Sequence, residues 1–384
     1  MNPELLSNVL ALRGAIQSAS NGLVERGALV ETIALAAVAG EHILVIGPPG
    51  TAKSEAARRI AGALGGTYFE YLLGRFTEPG EIFGPVDLVK LREGTVETRV
   101  EGMLPEADFA FLDEIFLGST AILNTLLGVL NERTFRRGHT VLKCPLRCAI
   151  GAANAIPTEP SLEAFADRFL LRVYLESVPD TRLEDLLEGG WQAQSSHSPT
   201  ASLSDVDALA RAARDCDLSA VRPHLAGAIR QLRGAGIALS DRRAVRIQKL
   251  VAAAAALDGR TIATQADLWP LVLAVPGAED QARAREILRD TLEHSRNAAL
   301  LLAAEDASSG PAARAARLVA SARELLASPQ NDASWRLKIE GVAREIDAAF
   351  APDNRVGDVE AVRSQIGEVL AGEIHHSSET SKIS

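Results

Sequence analysis

Cysteine and aromatic residues are scarce in this sequence of 384 residues. Its three cysteines are an odd number and too few for a disulfide framework, which indicates a reducing compartment, the cytoplasm. Phe, Trp and Tyr together make up only 4% of the chain. The sequence is instead rich in Ala, Leu and Arg, and this composition favours packed helices over a β-sandwich.

Long apolar runs are also missing. No run reaches the length of a membrane span, and residues 1–20 lack a basic start followed by an apolar core, so we expect neither a membrane anchor nor a secretory signal. A net charge of −10 argues against a general nucleic-acid-binding protein, although it leaves a local basic channel open. Hydrophobic residues at 47% are typical of a globular protein, and the length predicts about two to three domains.

Short apolar runs alternate with helical patterns in the first half of the chain. The predicted strands are residues 43–46, 68–71, 109–112, 148–152 and 169–173. Strands that alternate with helices predict an α/β fold, with a parallel sheet covered by helices on both faces. Residues 86–100 and 134–142 alternate apolar and polar side chains instead, and each predicts a β-hairpin.

The second half of the chain has a different organisation. An α/β domain over residues 1–190 is followed at 191–205 by a polar stretch with Gly, Ser and Pro, which we interpret as a linker. Helical patterns then fill residues 206–275, expected to form an all-α domain, and 276–371, expected to form a helical extension. The polar tail 372–384 is expected to be disordered.

Residues 47–54, with the sequence GPPGTAKS, lie between a predicted buried strand and a predicted helix, which is the context of a phosphate-binding loop. Gly47 and Gly50 let the backbone approach phosphate oxygens, Lys53 is placed to reach the β- and γ-phosphates, and Ser54 can ligate Mg²⁺. The alternative is an ordinary strand–turn–helix with an accidental Lys-Ser pair, and the pattern favours phosphate binding. Ala52 stands where the strict pattern has glycine, and we expect it to fit only with a negative φ. The residues predicted to bind nucleotide here are Gly47, Pro48, Pro49, Gly50, Thr51, Ala52, Lys53 and Ser54.

An acidic pair ends the predicted strand at 109–112. Asp113 at the end of that strand can meet the Mg²⁺ held by Ser54, and Glu114 can take the proton of an attacking water. A solvated acidic pair is the alternative, since Asp-Glu alone is common. After a phosphate loop in the same predicted sheet, the pair is strong evidence for nucleotide hydrolysis.

Two further positions are candidates for the same chemistry. Asn154 follows the strand 148–152 and can hold the attacking water or the γ-phosphate, although a turn asparagine before a proline is ordinary. Arg168 can face the nucleotide of a neighbouring subunit, or it can form an ion pair with Asp167 or Glu163; spacing alone does not decide.

Ser-Asp-Arg-Arg at 240–243 begins a predicted helix of the all-α domain. Arg242 or Arg243 could reach the γ-phosphate from that domain. The alternative is a solvated helix start with an aspartate near the helix dipole.

Together these motifs resemble the AAA+ ATPases of the MoxR family, and within it the RavA-like (regulatory ATPase variant) branch. The motifs are GPPGTAKS, FLDE at 111–114, Asn154, ADRF at 166–169 and SDRR at 240–243. Residues 74–104 resemble the helix-2 insert of that clade, so the resemblance implies an AAA+ core at 1–190 with a hairpin-bearing insert, and an all-α lid at 206–275. Members of the RavA-like branch have a helical extension that is interrupted by a small β-rich domain. The helical patterns after about residue 276 indicate that this chain lacks that domain.

The resemblance also implies a homo-oligomeric ring, a hexamer, with ATP at subunit interfaces. Arg168 would be the finger acting on the neighbour's nucleotide and Arg242 the sensor-2 arginine, with Arg243 as the alternative. Such proteins act as chaperone-like remodellers of protein clients, together with a partner that has a von Willebrand factor A (vWA) domain.

The function predicted from these residues is Mg²⁺-dependent ATP hydrolysis coupled to protein remodelling. A nucleic-acid motor or transcription regulator on the same core is the main alternative, against which stands the acidic balance of the chain. A small-molecule kinase and a scaffold in which ATP only drives assembly are the others.

Overall fold

The computed structural model describes residues 3–178, 182–192, 200–327, 335, 338–343, 346 and 357–380. The chain forms two compact units, one of Met1–Ser177 with Gln192–Ser308 and the other of Val178–Trp191 with Ser309–Ser384. The helices are α1 Pro3–Ser20, α2 Gly27–Ala39, α3 Lys53–Ala63, α4 Pro79–Phe83, α5 Leu88–Arg92, α6 Thr120–Glu132, α7 Pro160–Ala166, α8 Leu183–Gln192, α9 Leu203–Arg214, α10 Arg222–Gly234, α11 Asp241–Leu257, α12 Pro270–Leu273, α13 Ala278–Ile287, α14 Arg289–Leu292, α15 Leu301–Ala327 and α16 Gly357–Thr380. The strands are β1 Ile43–Ile46, β2 Tyr68–Leu72, β3 Phe109–Asp113, β4 Thr134–Arg137, β5 Thr140–Lys143, β6 Cys148–Ala153 and β7 Leu171–Tyr174.

A five-stranded parallel sheet in the order β2-β3-β6-β1-β7 forms the centre of the first unit. All four residues of β1 are buried, because the strand lies between β6 and β7 and is covered on both faces. The five strands expected from apolar runs are confirmed, with small differences at their ends, and so is the α/β fold class.

Alternate residues of the strands enter two different hydrophobic cores. Ile43 and Val45 face a core shared with α1, α2, α3, α9 and α11, whereas Leu44 and Ile46 face a second core shared with α4, α6 and α7. The expected all-α domain therefore does not have a separate core. Its helices α9 and α11 pack against α1 and α2 and continue the core on one side of the sheet.

Parallel strands give the sheet two chemically different edges. We call the edge where the strands end the carboxyl edge, and the edge where they begin the amino edge. The loops after β1, β3 and β6 meet at the carboxyl edge, whereas residues 41–42 and the turn 167–170 precede β1 and β7 at the amino edge. The four residues of β1 span about 13 Å between the two edges.

The first expected hairpin is wrong over most of its length. Residues 86–100 pair only through one antiparallel bridge, Val86 with Thr98, and the expected strand becomes the short helix α5. The reason is a local cap, since the Asp87 carboxylate accepts hydrogen bonds from the amides of Val89 and Lys90 and starts a helical turn. The second hairpin is confirmed as β4 and β5, and Gly138 has a φ of 59° at its turn.

The expected linker and tail fall partly outside the described residues. Of 191–205, residues 193–199 are not described, and α9 begins at Leu203. The tail expected to be disordered from 372 continues as α16 to Thr380, because no proline interrupts a helix that already has its first turns formed. Residues 381–384 lie outside the described part.

The second unit has a small hydrophobic core of its own. The Trp335 indole donates a hydrogen bond to the Leu325 carbonyl (3.0 Å), and apolar residues of α15 and α16 surround it. Within the described residues of 276–384 there is no strand. No helix of the described ranges combines the length and apolarity that crossing a bilayer requires.

Candidate nucleotide-binding and catalytic site

The loop 47–54 connects β1 to α3 at the carboxyl edge, and two glycines allow its shape. The Gly47 amide donates to the Ala153 carbonyl (3.1 Å), and a Cβ at Gly47 would lie 2.7 Å from the Leu175 carbonyl oxygen. Gly50 has a φ of 77°, in the left-handed region that favours glycine. Both glycines are therefore required by the loop, one for a close approach and one for its backbone conformation.

Ala52 also adopts a left-handed conformation, with a φ of 57°. The expectation of a negative φ is therefore wrong. The loop has to place residue 52 as the residue before α3, where its carbonyl accepts from the Ala56 amide (3.0 Å) and closes the first helical turn. A left-handed conformation costs an L-residue about 1–2 kcal/mol, which explains why the strict pattern has glycine here.

Lys53, the first residue of α3, is 7% exposed and lies inside the loop. Its ammonium donates to the carbonyls of Gly47 (2.7 Å) and Pro48 (3.0 Å). Burial lowers the pKa of Lys53, and the nearby carboxylates of Asp113 and Glu114 oppose that shift. Ser54 follows in the first turn of α3 and is half-buried.

The acidic pair and Asn154 meet beside this loop. Asp113 ends β3, and a φ of 47° at Glu114 turns the chain sharply after it. The Glu114 amide donates to the Asp113 carboxylate (3.0 Å), and the Asn154 side-chain amide donates to Glu114 Oε1 (2.6 Å). The structure therefore brings together three residues that the sequence placed after two different strands.

Arg26, which sequence reasoning missed, also holds the loop. It lies just before α2 and is only 4% exposed, and burial lowers the pKa of its guanidinium. Its donors reach the carbonyls of Thr51 (2.7 Å), Glu176 (2.7 Å) and Glu25 (2.8 Å). The sequence shows only an isolated Glu-Arg pair ahead of an apolar helix, so no periodicity marks this residue.

Arg168 lies at the amino edge, away from the loop of its own chain. It is in the turn between α7 and β7, and its side chain lines a cavity of ≈ 430 Å³ between α6 and α7. The Asp167 carboxylate binds Arg243 (2.7 Å). One of the two acids considered as an ion-pair partner of Arg168 is therefore bound to another arginine.

Arg242 and Arg243 also lie at the amino edge. Arg243 is 1% exposed and donates to the Leu170 carbonyl (2.6 Å), whereas Arg242 is exposed and donates to the Asn131 side chain (2.8 Å) at the end of α6. Among the hydrogen bonds described for these two arginines, none goes to loop 47–54. Their placement therefore does not support the expectation that either reaches the nucleotide of its own chain.

The chain is similar to known proteins in fold and in sequence. A crystal structure from Cytophaga hutchinsonii, of a protein inferred to be an ATPase, superposes with a TM-score of 0.62 at 16% identity and covers 77% of this chain and 97% of that one, which shows the shared fold. An uncharacterized protein of Methanocaldococcus jannaschii is 35% identical over 250 residues, which are 64% of this chain and 66% of that protein, so this chain spans somewhat less than two thirds of it.

A further relative has an assigned name. It is the chaperone MoxR1 of Mycobacterium tuberculosis, 30% identical over 173 residues, which are 44% of this chain and 45% of that protein. Residues 10–211 match the family described as the MoxR domain in the MoxR-vWA-beta-propeller ternary systems. Since this match covers more than half of the sequence, the chain belongs to the MoxR family of AAA+ ATPases.

Proposed function

We propose that this protein hydrolyses ATP with Mg²⁺ and uses the energy to remodel or activate protein clients. The observation that carries the proposal is the hydrogen bond between Asn154 and Glu114 beside loop 47–54. It places a carboxylate and an amide at the carboxyl edge, next to a lysine and a helix N-terminus that suit phosphate.

The residues at this edge fit a magnesium nucleotide. Lys53 and the backbone amides of the loop supply positive charge for phosphate oxygens, and the hydroxyl of Ser54 and the carboxylate of Asp113 are oxygen ligands that Mg²⁺ accepts. The bound ion would supply charge neutralisation for the phosphates. The position of Lys53 supports this fit, because its ammonium lies inside the loop, where it donates to two loop carbonyls.

The carboxylate of Glu114 acts as the general base in this proposal. Because Asn154 donates to Oε1, that bond fixes the carboxylate and leaves Oε2 to accept the proton of the attacking water. Asn154 thus orients both the base and the water, and Lys53 stabilises the charge that develops on the transferred phosphoryl group.

Completion of the site depends on a second copy of the chain. Arg168 and Arg242 lie at the amino edge, so we propose that each acts on the nucleotide of a neighbour, with Arg168 as the finger. This arrangement requires head-to-tail contacts, which close into a ring, and we propose a ring of six. The division into a core at 1–190, a linker at 191–205, a lid at 206–275 and an extension from 276 belongs to the same proposal.

The family description supports a partner with a vWA domain, because it names MoxR-vWA-beta-propeller systems. The chaperone name of the mycobacterial relative supports protein clients. Within the family we propose the RavA-like branch, on the motifs GPPGTAKS and ADRF, and the absence of strands among the described residues of 276–384 supports the loss of its β-rich domain. Free, buried cysteines support a cytoplasmic location.

The Glu114→Gln variant tests the central proposal. Glutamine keeps the hydrogen bond to Asn154 but is not a base, so we expect ATP affinity by calorimetry to stay within about twofold and turnover to fall about 100-fold or more. Glu132→Gln, which changes an exposed glutamate of α6, is the matched control and should hydrolyse ATP normally. Normal turnover in Glu114→Gln would exclude Glu114 as the general base. If the unchanged protein did not bind ATP, the proposed site itself would be wrong.

A further inference from the structure

The turn 167–170, which carries Arg168, is held by two arginines of α11. Arg243 is 1% exposed, and its guanidinium donates to the Asp167 carboxylate (2.7 Å) and the Leu170 carbonyl (2.6 Å). A third donor, Nε, binds the Ala274 carbonyl (3.0 Å). Arg243 therefore holds the residue before Arg168 and a residue two positions after it.

Arg246, one turn further along α11, binds Arg168 itself. Its guanidinium donates to the Arg168 carbonyl (3.0 Å) and to the carboxylate of Glu41, which is 2% exposed and precedes β1. Lys249 adds a second cation at Glu41, with Nζ 3.0 Å from Oε1. The backbone of Arg168 is thus tied through one side chain to the start of the strand that leads to loop 47–54.

The side chain of Arg168 is held much less firmly than its backbone. Its Nε is buried and has no hydrogen-bond partner among the residues that the structure describes. The side chain lines the cavity between α6 and α7, where Arg75 and Glu159 are other polar members. A residue that acts on a group outside its own chain needs a backbone in a fixed position and a guanidinium that is not hydrogen-bonded within that chain.

We propose that Arg243 and Arg246 are positioning residues, which set the turn 167–170 so that Arg168 reaches the nucleotide of a neighbouring subunit. This inference rests on the proposed ATPase function. It gives Arg243 a role different from the sensor-2 role considered from the sequence, because Arg243 acts through Arg168 on another subunit's site. Helix α11 thereby influences hydrolysis in the neighbouring subunit rather than in its own chain.

Three full-length variants test this role. Arg243→Gln removes the buried guanidinium and tests the fold as well. Arg246→Gln removes the bond to the Arg168 carbonyl, and Asp167→Asn keeps the shape of the side chain but weakens its bond to Arg243. We expect ATP hydrolysis to fall about 100-fold in Arg246→Gln, because a catalytic group displaced by about 1 Å loses about that much. In Asp167→Asn the bond to Arg243 is weakened but not removed, so we expect a smaller fall of about tenfold. ATP affinity should stay within about twofold. Arg222→Gln, an exposed change on α10 whose partner is Gln248, is the control and should match the unchanged protein.

Mixing with Glu114→Gln subunits distinguishes this role from a structural one. Glu114→Gln subunits hydrolyse very little ATP themselves but have an intact turn 167–170, so in an equal mixture roughly half of the variant sites gain a competent donor. We expect the rate per variant subunit to rise about fivefold for Asp167→Asn and about 50-fold for Arg246→Gln, and by still more for the reference Arg168→Ala. A merely structural defect stays in its own subunit and would not be rescued.

The outcomes separate this inference from the proposed function. If Arg168→Ala is rescued while the folded Arg246→Gln and Asp167→Asn variants are not, the positioning role is wrong and the trans finger stands. If Arg168→Ala is not rescued either, the finger is wrong and the positioning role falls with it. Should Arg243→Gln fail to fold, as melting curves would show, the other two variants still decide.

Discussion

Three non-glycine residues with positive φ values adjoin the candidate site. They are Glu25, next to Arg26, Ala52 in loop 47–54, and Glu114 after β3, with φ values of 57°, 57° and 47°. Backbone strain of this kind persists only where surrounding contacts impose it, and it is often found at functional sites. At residue 52 the strain comes from the loop, since the side chain is a methyl group that makes no polar contact.

Replacing Ala52 with glycine should therefore stabilise the protein. Because glycine adopts a positive φ without steric cost, we expect the free energy of unfolding in urea to rise by about 1 kcal/mol, with ATP binding retained. Ala212→Gly, in the regular helix α9, is the matched control and should lose about 1 kcal/mol. A loss of stability in Ala52→Gly would show that the loop does not strain this residue.

Arg26 should contribute to ATP affinity through the shape of the loop. Arg26→Ala removes three hydrogen bonds to carbonyls, one of them to Thr51 in the loop, so we expect the dissociation constant for a fluorescent ATP analogue to rise about tenfold. Arg26→Lys should recover part of the affinity, because an ammonium can reach fewer of those carbonyls at once. Unchanged affinity in Arg26→Ala, with Arg58→Ala as the exposed control, would contradict this role.

At the scale of elements, α15 is joined to α2 by a buried carboxylate. Glu31 of α2 is 6% exposed and accepts a hydrogen bond from the Ala303 amide (2.7 Å) in the first turn of α15. Burial raises the pKa of Glu31 to about 7, and the backbone hydrogen bonds only partly offset that effect. Gly27 lies at the same contact, because a Cβ there would meet the Leu302 side chain at 2.4 Å.

The stability of the protein should therefore depend on pH through Glu31. Since its pKa is raised in the folded state, the folded protein keeps a proton that the unfolded chain releases, and Glu31 lowers the stability progressively as the pH rises from about 4.5 to about 7. Glu31→Gln keeps an acceptor for Ala303 without this penalty. We expect the variant to be more stable than the parent by up to about 3 kcal/mol in urea unfolding at pH 8, and nearly equal at pH 4.5. An equal difference at both pH values would contradict the assignment.

Elements whose type is determined by runs of apolar residues were predicted well from the sequence. Elements whose type depends on a hydrogen bond from a polar side chain were predicted less well. The buried runs at 43–46 and 109–112 could only be central strands, and the loop, the acidic pair and Asn154 follow from where such strands end. The helix α5 was missed because Asp87 starts a helical turn within an alternating pattern. The contacts of Arg26 and Arg243 join segments far apart in the chain, so no local pattern contains them.

At the scale of the whole molecule, hydrolysis should depend on assembly. If Arg168 acts on a neighbour, the ATPase rate per subunit should fall on dilution by about 1,000-fold or more as rings dissociate into single chains, since a finger supplied in trans is worth about that much. Arg168→Ala should instead be slow at every concentration. The measurement is steady-state phosphate release across a dilution series with light scattering in parallel. A wild-type rate per subunit that stays constant on dilution would exclude the trans finger.

Loop 47–54 and Arg168 lie at opposite edges of one sheet, so an assembly in which each Arg168 acts on the next subunit's nucleotide would have a direction. In an open row of copies, the Arg168 of the subunit at one end would have no neighbouring nucleotide to act on. The nucleotide of the subunit at the other end would have no arginine from a neighbour. Only a closed ring would give every nucleotide an arginine from a neighbour. Loss of a single protomer would therefore inactivate one of the remaining active sites and leave the others active.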